Sequence, residues 1–414
     1  MRTNIPSFRL PAEVLDEECD QIINMGLKVK YGQEIKSFRE FLKSDYDAIF
    51  VGTGAPKGKD LNIPGREEAS KNIHIGIDFL ASVAFEHVSK IGKKVIVLGG
   101  GNTAMDCCRT AIRLGGKQVG VYVRSPKVDM KASDWEIEEA EMENIPIFEN
   151  HVPKEFIIKD GKLRGMLFEK VTAHYENNKR KLVPTGEPLV EVECDDVLMA
   201  IGQDNAFEWI EKDLGIEFGE WDMPIVDKIT FQSTNPKIFF GGDAAWGPEN
   251  IIWAAAHGHQ AAISIDKFCN ENDLYERPEP GTTLVSQKMG VHEWSYDNDI
   301  SQASRLLVPH ADKTIALKDL KMEVELGFDE QMALDEANRC LNCDVQTVFS
   351  EELCIECDAC VDICPTDCIN FISNGTEEEV RNSLRIPALN LNQDILVSDN
   401  LLQTARVMIK DEDV

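Results

Sequence analysis

No run of eighteen apolar residues occurs in the 414-residue sequence, so the ordinary signal for a membrane-spanning helix is missing. The opening Met1-Arg2-Thr3-Asn4-Ile5-Pro6 also lacks the apolar core of a secretory signal. Positive charge is scarce: 43 Lys and Arg stand against 73 Asp and Glu, a formal charge of −30 that would repel a phosphate backbone or an anionic lipid surface. These deficits exclude nucleic acid and membrane insertion as partner classes and predict a cytoplasmic location. With 43% apolar residues and no repeats or low-complexity tracts, the chain reads as globular over most of its length and long enough for roughly two to four domains.

Cysteine is present but unevenly placed. Of 12 cysteines, seven fall between Cys340 and Cys368, a clustering that favours metal over disulfides in a chain that is not exported. Cys107 and Cys108 are adjacent on a predicted helix, where neighbours do not share a face, so they read as packing residues rather than a reactive pair.

Apolar periodicity between Pro11 and Met25 predicts an amphipathic helix. Asp47–Val51 reads as a buried strand running into the turn Gly52-Thr53-Gly54. Lys94–Leu98, the glycines that follow, a helix over 102–114 and a strand over 118–123 make one βαβ unit. A hairpin turning at Asp160-Gly161 interrupts the parallel strands, because Asp-Gly supplies positive φ. Farther on come a strand ending at Ala200-Ile201-Gly202-Gln203, a strand–Gly241-Gly242-Asp243 turn and a helix over 250–268. Residues 271–325 have weak periodicity. The element order predicts an α/β fold with a Rossmann-like domain. The acidic run Glu136, Glu138, Glu139 reads as a solvated helix face.

Gly99-Gly100-Gly101-Asn102-Thr103-Ala104 fits the dinucleotide pattern and sits between a predicted strand and a predicted helix, as that pattern requires. Gly99 permits the tight turn, Gly101 admits a pyrophosphate, Ala104 allows close packing, and the helix N-terminus offers unpaired N–H groups to the anion. A bare glycine turn is the plain alternative. At the end of the second strand, where NAD sites place a carboxylate, stand Arg124 and Lys127 with Asp129 close by. The two cations favour NADP(H) over NAD(H).

Cys354-x2-Cys357-x2-Cys360-x3-Cys364-Pro365 is the bacterial ferredoxin spacing. Cys354, Cys357 and Cys360 are candidate ligands of one [4Fe-4S] cluster and Cys364 of another. Zinc is the competing occupant, because Cys340-x2-Cys343 and Cys354-x2-Cys357 form two Cys-x-x-Cys pairs, but it leaves Cys360, Cys364 and Pro365 unexplained.

Ile5-Pro6-Ser7-Phe8-Arg9-Leu10-Pro11, the Gly99–Asp106 motif, Ala200–Gln203 and Gly241–Asp243 together resemble FAD-dependent pyridine-nucleotide oxidoreductases related to the small subunit of glutamate synthase. The cysteine segments and Arg406–Val414 resemble the subgroup that adds a two-cluster ferredoxin domain and works beside dissimilatory sulfite reductases or 2-oxoacid oxidoreductases. The resemblance implies a three-layer FAD/NAD(P)-binding fold followed by an α+β ferredoxin-like segment. It implies further that Asp243 binds the flavin ribityl chain, with Gly54, Gly202, Gly242, Ile5, Pro6 and Arg9 beside the flavin. In the family an FAD fingerprint precedes the Ile5–Pro11 segment and a second cysteine run follows the final strand. The expectation is therefore a fragment with an incomplete FAD site.

The corresponding domain layout is a partial FAD-binding domain over 1–55, an NAD(P)-binding domain over 56–200, the second FAD-binding part over 201–275, a connecting arm over 276–338 and a partial ferredoxin-like domain over 339–414. The expected activity is hydride transfer between NAD(P)H and FAD, with electrons relayed through [4Fe-4S] clusters to a redox protein partner or larger complex. No acid–base residue is nominated. The alternatives are a non-catalytic electron-transfer or assembly subunit and a glutamate synthase small-subunit-type electron donor.

Overall fold

β-branched and aromatic runs, several of them ending at a glycine, form the parallel strands of this chain. The computed structural model describes residues 1–176, 179–277, 301, 303–339, 354–362, 369–384 and 404–410. It divides into two units, one of Met1–Arg277 with Pro309–Leu326, the other of Pro278–Val308 with Gly327–Val414. Among the described residues no helix is long and apolar enough to cross a membrane.

The first unit begins with α1 (Ala12–Asn24) and α2 (Phe38–Phe41), then β1 (Ile49–Val51) and β2 (Lys57–Gly58). Next come β3 (Ile73–Ile75), α3 (Gly76–Ala84), β4 (Lys94–Leu98), α4 (Asn102–Arg113), β5 (Gln118–Tyr122), α5 (Asp134–Met142) and β6 (Ile147–Phe148). The hairpin strands β7 (His151–Lys159) and β8 (Lys162–Glu176) precede β9 (Lys179–Pro184), β10 (Val190–Glu193), β11 (Asp196–Met199) and β12 (Gln203–Asp204). Then β13 (Ile238–Phe240), α6 (Asp243–Trp246), α7 (Ile251–Cys269) and, in 309–326, α8 (Lys313–Ala316) follow.

Five strands form an all-parallel sheet in the order β3-β11-β4-β5-β6, with β4 in register from Lys94↔Gln118 to Leu98↔Tyr122. Val95, Val97, Val119 and Val121 point to a core shared with Met105, Cys107, Cys108 and Ala111 of α4. The other sheet face carries Ile96, Leu98 and Tyr122 and packs on Phe156, Met166 and Phe168 of the β7–β8 hairpin. β1 and β13 pair in parallel, Val51 opposite Phe240, over a third cluster with Phe38, Phe207 and Ile216.

The helix expected over 250–268 is α7, and a separate single turn, α6, precedes it and stops at Gly247, whose φ of +87° and following Pro248 end it before α7 begins. Residues 309–326, read as part of the connecting arm, fold onto the first unit. Ala311, Ala316 and Val324 enclose Phe8, which is fully buried, and the Val324 N–H donates to the Phe8 carbonyl at 3.0 Å.

In the second unit α9 (Glu330–Ala337) is capped by Asp329, whose side chain accepts from Met332 N. α10 (Ala359–Asp362), β14 (Ile369–Ser373), α11 (Glu377–Asn382) and β15 (Arg406–Lys410) follow. β14 and β15 are antiparallel, Phe371 opposite Met408, and a Thr376–Glu379 capping box starts α11.

Candidate functional site

The glycine turn at the C-terminal end of β4 has two differently built positions. Gly99 takes φ +132°, and a Cβ there would lie 2.1 Å from the Ala200 carbonyl oxygen, so strand β11 excludes any side chain. Gly101 has an ordinary φ of −108° and open space where its Cβ would be, directly at the N-terminus of α4. An anion can therefore reach the unpaired N–H groups of the first helical turn. Gly100 accepts from the N–H groups of Lys131 (2.9 Å) and Ala132 (3.0 Å), which folds the loop after β5 back over the turn. Asn102 is exposed and accepts from Ser133 N at 3.0 Å, and Ala104 is fully buried. These residues fit a dinucleotide pyrophosphate.

At the end of β5, Arg124 is exposed and has no ion pair among the described residues. Lys127 is already engaged, its Nζ 2.6 Å from Glu141 Oε1. Asp129 is bonded from the hairpin side by Tyr175 and Arg180.

The Ala200–Gln203 loop leads from this turn to a second group of glycines. Gln203 Nε2 donates to Thr103 Oγ1 at 3.3 Å. Two residues later Asn205, its amide turned so that nitrogen faces acceptors, donates to the carbonyls of Gly54 (3.2 Å) and Asp243 (3.1 Å). Asn205 was not singled out in the sequence, where nothing distinguishes it from a loop polar residue. Gly54 (φ +70°) and Gly202 (φ +120°) need glycine's conformational freedom, and Gly54 faces open space. Gly242, at φ +59° and ψ −152°, donates its N–H to His257 Nδ1 at 3.2 Å. Asp243 Oδ1 accepts from Glu249 N at 3.1 Å. The open face of Gly54, near the half-buried Asp243 carboxylate through their shared partner Asn205, fits the approach of a flat cofactor.

Ile5, Pro6 and Arg9 lie against α3, α4 and α5. Ile5 and Pro6 border a cleft of about 90 Å³ with Leu80, Val83 and Thr110. Arg9 Nη1 is 2.6 Å from Asp106 Oδ1, and Nη2 pairs with Glu136. Among the described residues no hydrogen bond or ion pair joins these three to Gly54, Gly202, Gly242 or Asp243.

The solvated face expected for Glu136, Glu138 and Glu139 is corrected: Glu138 is exposed, but Glu136 and Glu139 are buried. Arg109 donates to Glu139 (3.0 Å) and Glu143 (2.9 and 3.0 Å), and Arg113 donates to both oxygens of Glu143 (2.7 and 2.8 Å). Phe8 lies under Arg113, 3.8 Å from guanidinium carbon to ring centre. The opposing arginines make burial of these carboxylates tolerable. Their spacing was the available signal: 136, 139 and 143 on α5 and its cap share a face, as do 109 and 113 on α4. Burial pushes the Glu143 carboxyl up, yet the Arg113 hydrogen bond and the Arg109 and Arg113 charges outweigh it, leaving a net lowering. For Asp106 burial wins over Arg9 and the carboxyl sits above its usual range.

Cys107 and Cys108 are fully buried and donate to the carbonyls of Gly76 (3.6 Å) and Met105 (3.1 Å). Burial raises both thiols, so neither is a thiolate available for dithiol chemistry.

In the second unit Cys354 and Cys360 are half-buried and Cys357 is exposed; Cys354 and Cys357 lie on the loop leading into α10, and Cys360 lies in α10 itself. Cys354 Sγ accepts from Glu356 N at 3.4 Å. Arg406, at the start of β15, fixes the loop through a two-pronged contact with Asp358 (2.9 and 3.1 Å). Three cysteines within seven residues of a loop and the helix it enters fit the cluster spacing. Cys364, Cys340, Cys343 and Cys368 lie outside the described residues.

Residues 12–261 match the family model for pyridine nucleotide-disulphide oxidoreductases, and residues 347–370 match that for a 4Fe-4S binding domain. The beta subunit of the NADP(+)-dependent formate dehydrogenase of Moorella thermoacetica is 31% identical over 355 residues, covering 83% of this chain and 49% of that protein. The glutamate synthase [NADPH] small chain of Halomonas elongata is 33% identical over 281 residues, covering 63% of this chain and 58% of that one. The chain thus spans about half the length of the curated relatives it matches. In fold it is similar to FprA of Mycobacterium tuberculosis, solved in complex with NADPH, at a TM-score of 0.53 and 14% identity over 65% of this chain and 75% of that one. The resemblance read from the residues, and the FAD/NAD(P)-binding α/β fold with a ferredoxin-like segment, hold.

Proposed function

Because this chain belongs to the pyridine nucleotide-disulphide oxidoreductase family, whose cofactors are FAD and NAD(P), and carries a 4Fe-4S binding domain, we propose that it admits electrons from NADPH into a larger redox complex. The reading is carried by one loop. Gln203 touches Thr103 of the nucleotide turn, while Asn205 ties Gly54 to Asp243 on the flavin side. Hydride transfer requires the two ring systems to meet, and a loop anchored at both turns fixes their separation.

Within this scheme Gly101 and the α4 N-terminus take the pyrophosphate, and Arg124 takes the 2′-phosphate. Gly54, Gly202, Gly242 and Asp243 line the flavin side. FAD, when bound, supplies the conversion between two-electron hydride transfer and one-electron transfer. The burial of Cys107 and Cys108 removes the dithiol exit, so electrons leave through the cysteine loop of Cys354, Cys357 and Cys360, with Cys364 serving a further cluster. The acceptor is a protein in a larger assembly, of the sulfite reductase or 2-oxoacid oxidoreductase class that the cysteine segments imply, or of the formate dehydrogenase class.

The test is anaerobic reconstitution of the 414-residue chain with FAD, iron and sulfide, followed by titration with NADPH. The flavin absorption should bleach and the iron–sulfur absorption follow. A protein that retains both cofactors yet leaves NADPH unoxidised would sink the proposal.

A further inference from the structure

Asp129 is the one carboxylate on the loop from Arg124 to Lys131, and it stands at the rim of the glycine turn. The next residue, Met130, packs against Gly100: a Cβ on that glycine would come within 3.2 Å of Met130 Cγ. Lys131 N then donates to the Gly100 carbonyl at 2.9 Å. An acid at this place has a strong consequence for the ligand. A free carboxylate after the second strand accepts from the ribose 2′-hydroxyl of NAD and repels the 2′-phosphate of NADP.

Asp129 is not free. Its Oδ2 accepts from the Tyr175 hydroxyl and from Arg180 Nη1 at 3.1 Å. Tyr175 and Arg180 are cross-strand neighbours in the β8–β9 hairpin, which reaches over this loop from the neighbouring sheet. The Tyr175 hydrogen bond, then that of Arg180, holds the carboxyl below its usual range, so it remains charged and remains claimed. Arg124, by contrast, is exposed and has no ion pair among the described residues.

We propose that Tyr175 and Arg180 are positioning residues that set the nucleotide preference, by holding Asp129 away from the ribose 2′-position and so leaving the exposed Arg124 at the end of β5 without a competing free carboxylate. This rests on the reading of Gly99–Ala104 as the nucleotide turn. The hairpin then acts through Asp129 and not through general stability, which makes the idea separable from a structural role. Removing both hairpin groups frees a carboxylate at the rim; removing that carboxylate as well should undo the effect.

Calorimetric titration of the 414-residue chain with NADP+ and with NAD+ tests this without any turnover. The parent chain is expected to bind NADP+ more tightly. The Tyr175→Phe/Arg180→Ala variant should bind NADP+ about tenfold more weakly, with NAD+ binding unchanged or improved. Adding Asp129→Asn should restore NADP+ binding. An equal loss for both nucleotides, no change for either, or no rescue by Asp129→Asn overturns the inference. Asp129→Asn alone covers the case in which the hairpin variant fails to fold: unchanged NAD+ binding supports the proposal, and a loss of NAD+ binding overturns it by showing that Asp129 already serves the ribose. A parent chain that prefers NAD+ overturns this inference alone, whereas one that binds neither nucleotide overturns the nucleotide turn itself and this inference with it.

Discussion

Arg9 and Asp106 are 97 residues apart in sequence and 2.6 Å apart in space, so the Ile5–Arg9 segment is held by the same helix whose N-terminus follows the Gly99–Gly101 turn. Around that pair three arginines, Arg9, Arg109 and Arg113, face four carboxylates, Asp106, Glu136, Glu139 and Glu143. His310 is bonded to Glu139 at the rim of this acid-rich cluster. One oxygen of Glu136 has no hydrogen-bond partner, and it lies 3.7 Å from Arg109 Nη1. The cluster therefore depends on every arginine being present.

Arg9→Met tests that dependence. Asp106 and Glu136 are both buried, and leaving them without Arg9 should cost about 3 kcal/mol in urea unfolding. In the Arg9→Met background, Asp106→Asn should be less harmful than in the parent chain or even favourable, because it removes an unpaired buried charge. Strictly additive losses would mean that the pair contributes nothing of its own.

Acid should act on the same cluster with a definite sign. Glu143 has a folded-state carboxyl below its ordinary 4.5, so the stability it adds is fully present above that pH and is lost as pH falls through the lower folded value. Asp106 has the opposite sense: raised in the fold from 3.8, it favours the folded state most at low pH and loses that contribution as pH rises through its folded value. Glu143→Gln should remove the first component, giving a shallower fall in unfolding free energy below pH 4.5 than in the parent chain. An unchanged slope would show that Glu143 is not the group lost to acid.

What could be read beforehand follows from how local each feature is. The β4–α4–β5 unit and the hairpin at Asp160-Gly161 were legible because strand, glycine and helix signals lie next to one another in the chain. The burial of Glu136 and Glu139 was not, since an acidic helix face looks solvated until its partners on α4 and at Arg9 are known. Residues 309–326 show only weak periodicity because, apart from the single turn α8, they dock as an irregular clasp whose apolar contacts converge on Phe8. At the candidate site the glycines could be named from the sequence, but Asn205 could not: its role comes from the approach of three loops.

The two ends of the glycine turn should separate folding from binding. Gly101→Ala fits the open space and the ordinary φ, so its melting temperature should stay close to that of the parent chain, while nucleotide affinity falls at least about tenfold because the methyl occupies the pyrophosphate's approach. Gly99→Ala meets the Ala200 carbonyl at 2.1 Å with φ +132° and should lower stability by about 1–3 kcal/mol. Equal behaviour of the two variants in melting and in calorimetry would contradict this division.

The cysteine loop can be disabled without touching the entry site. Cys354, Cys357 and Cys360 lie close together in the second unit, whereas Gly99–Ala104, Gly54, Gly202 and Gly242 lie in the first. Cys357→Ser should therefore lower bound iron after anaerobic reconstitution and abolish reduction of a one-electron protein acceptor, while NADP+ binding and bleaching of bound flavin by NADPH continue. Cys107→Ser, at a fully buried packing position, should leave iron content alone. Arg406→Gln gives an intermediate case, because it releases Asp358 from its two-pronged contact and loosens the loop without removing a sulfur; iron should bind but be lost faster to a chelator. If Cys357→Ser retained its iron and still reduced the acceptor, electrons would be leaving by another route and the cysteine loop would have no part in the path.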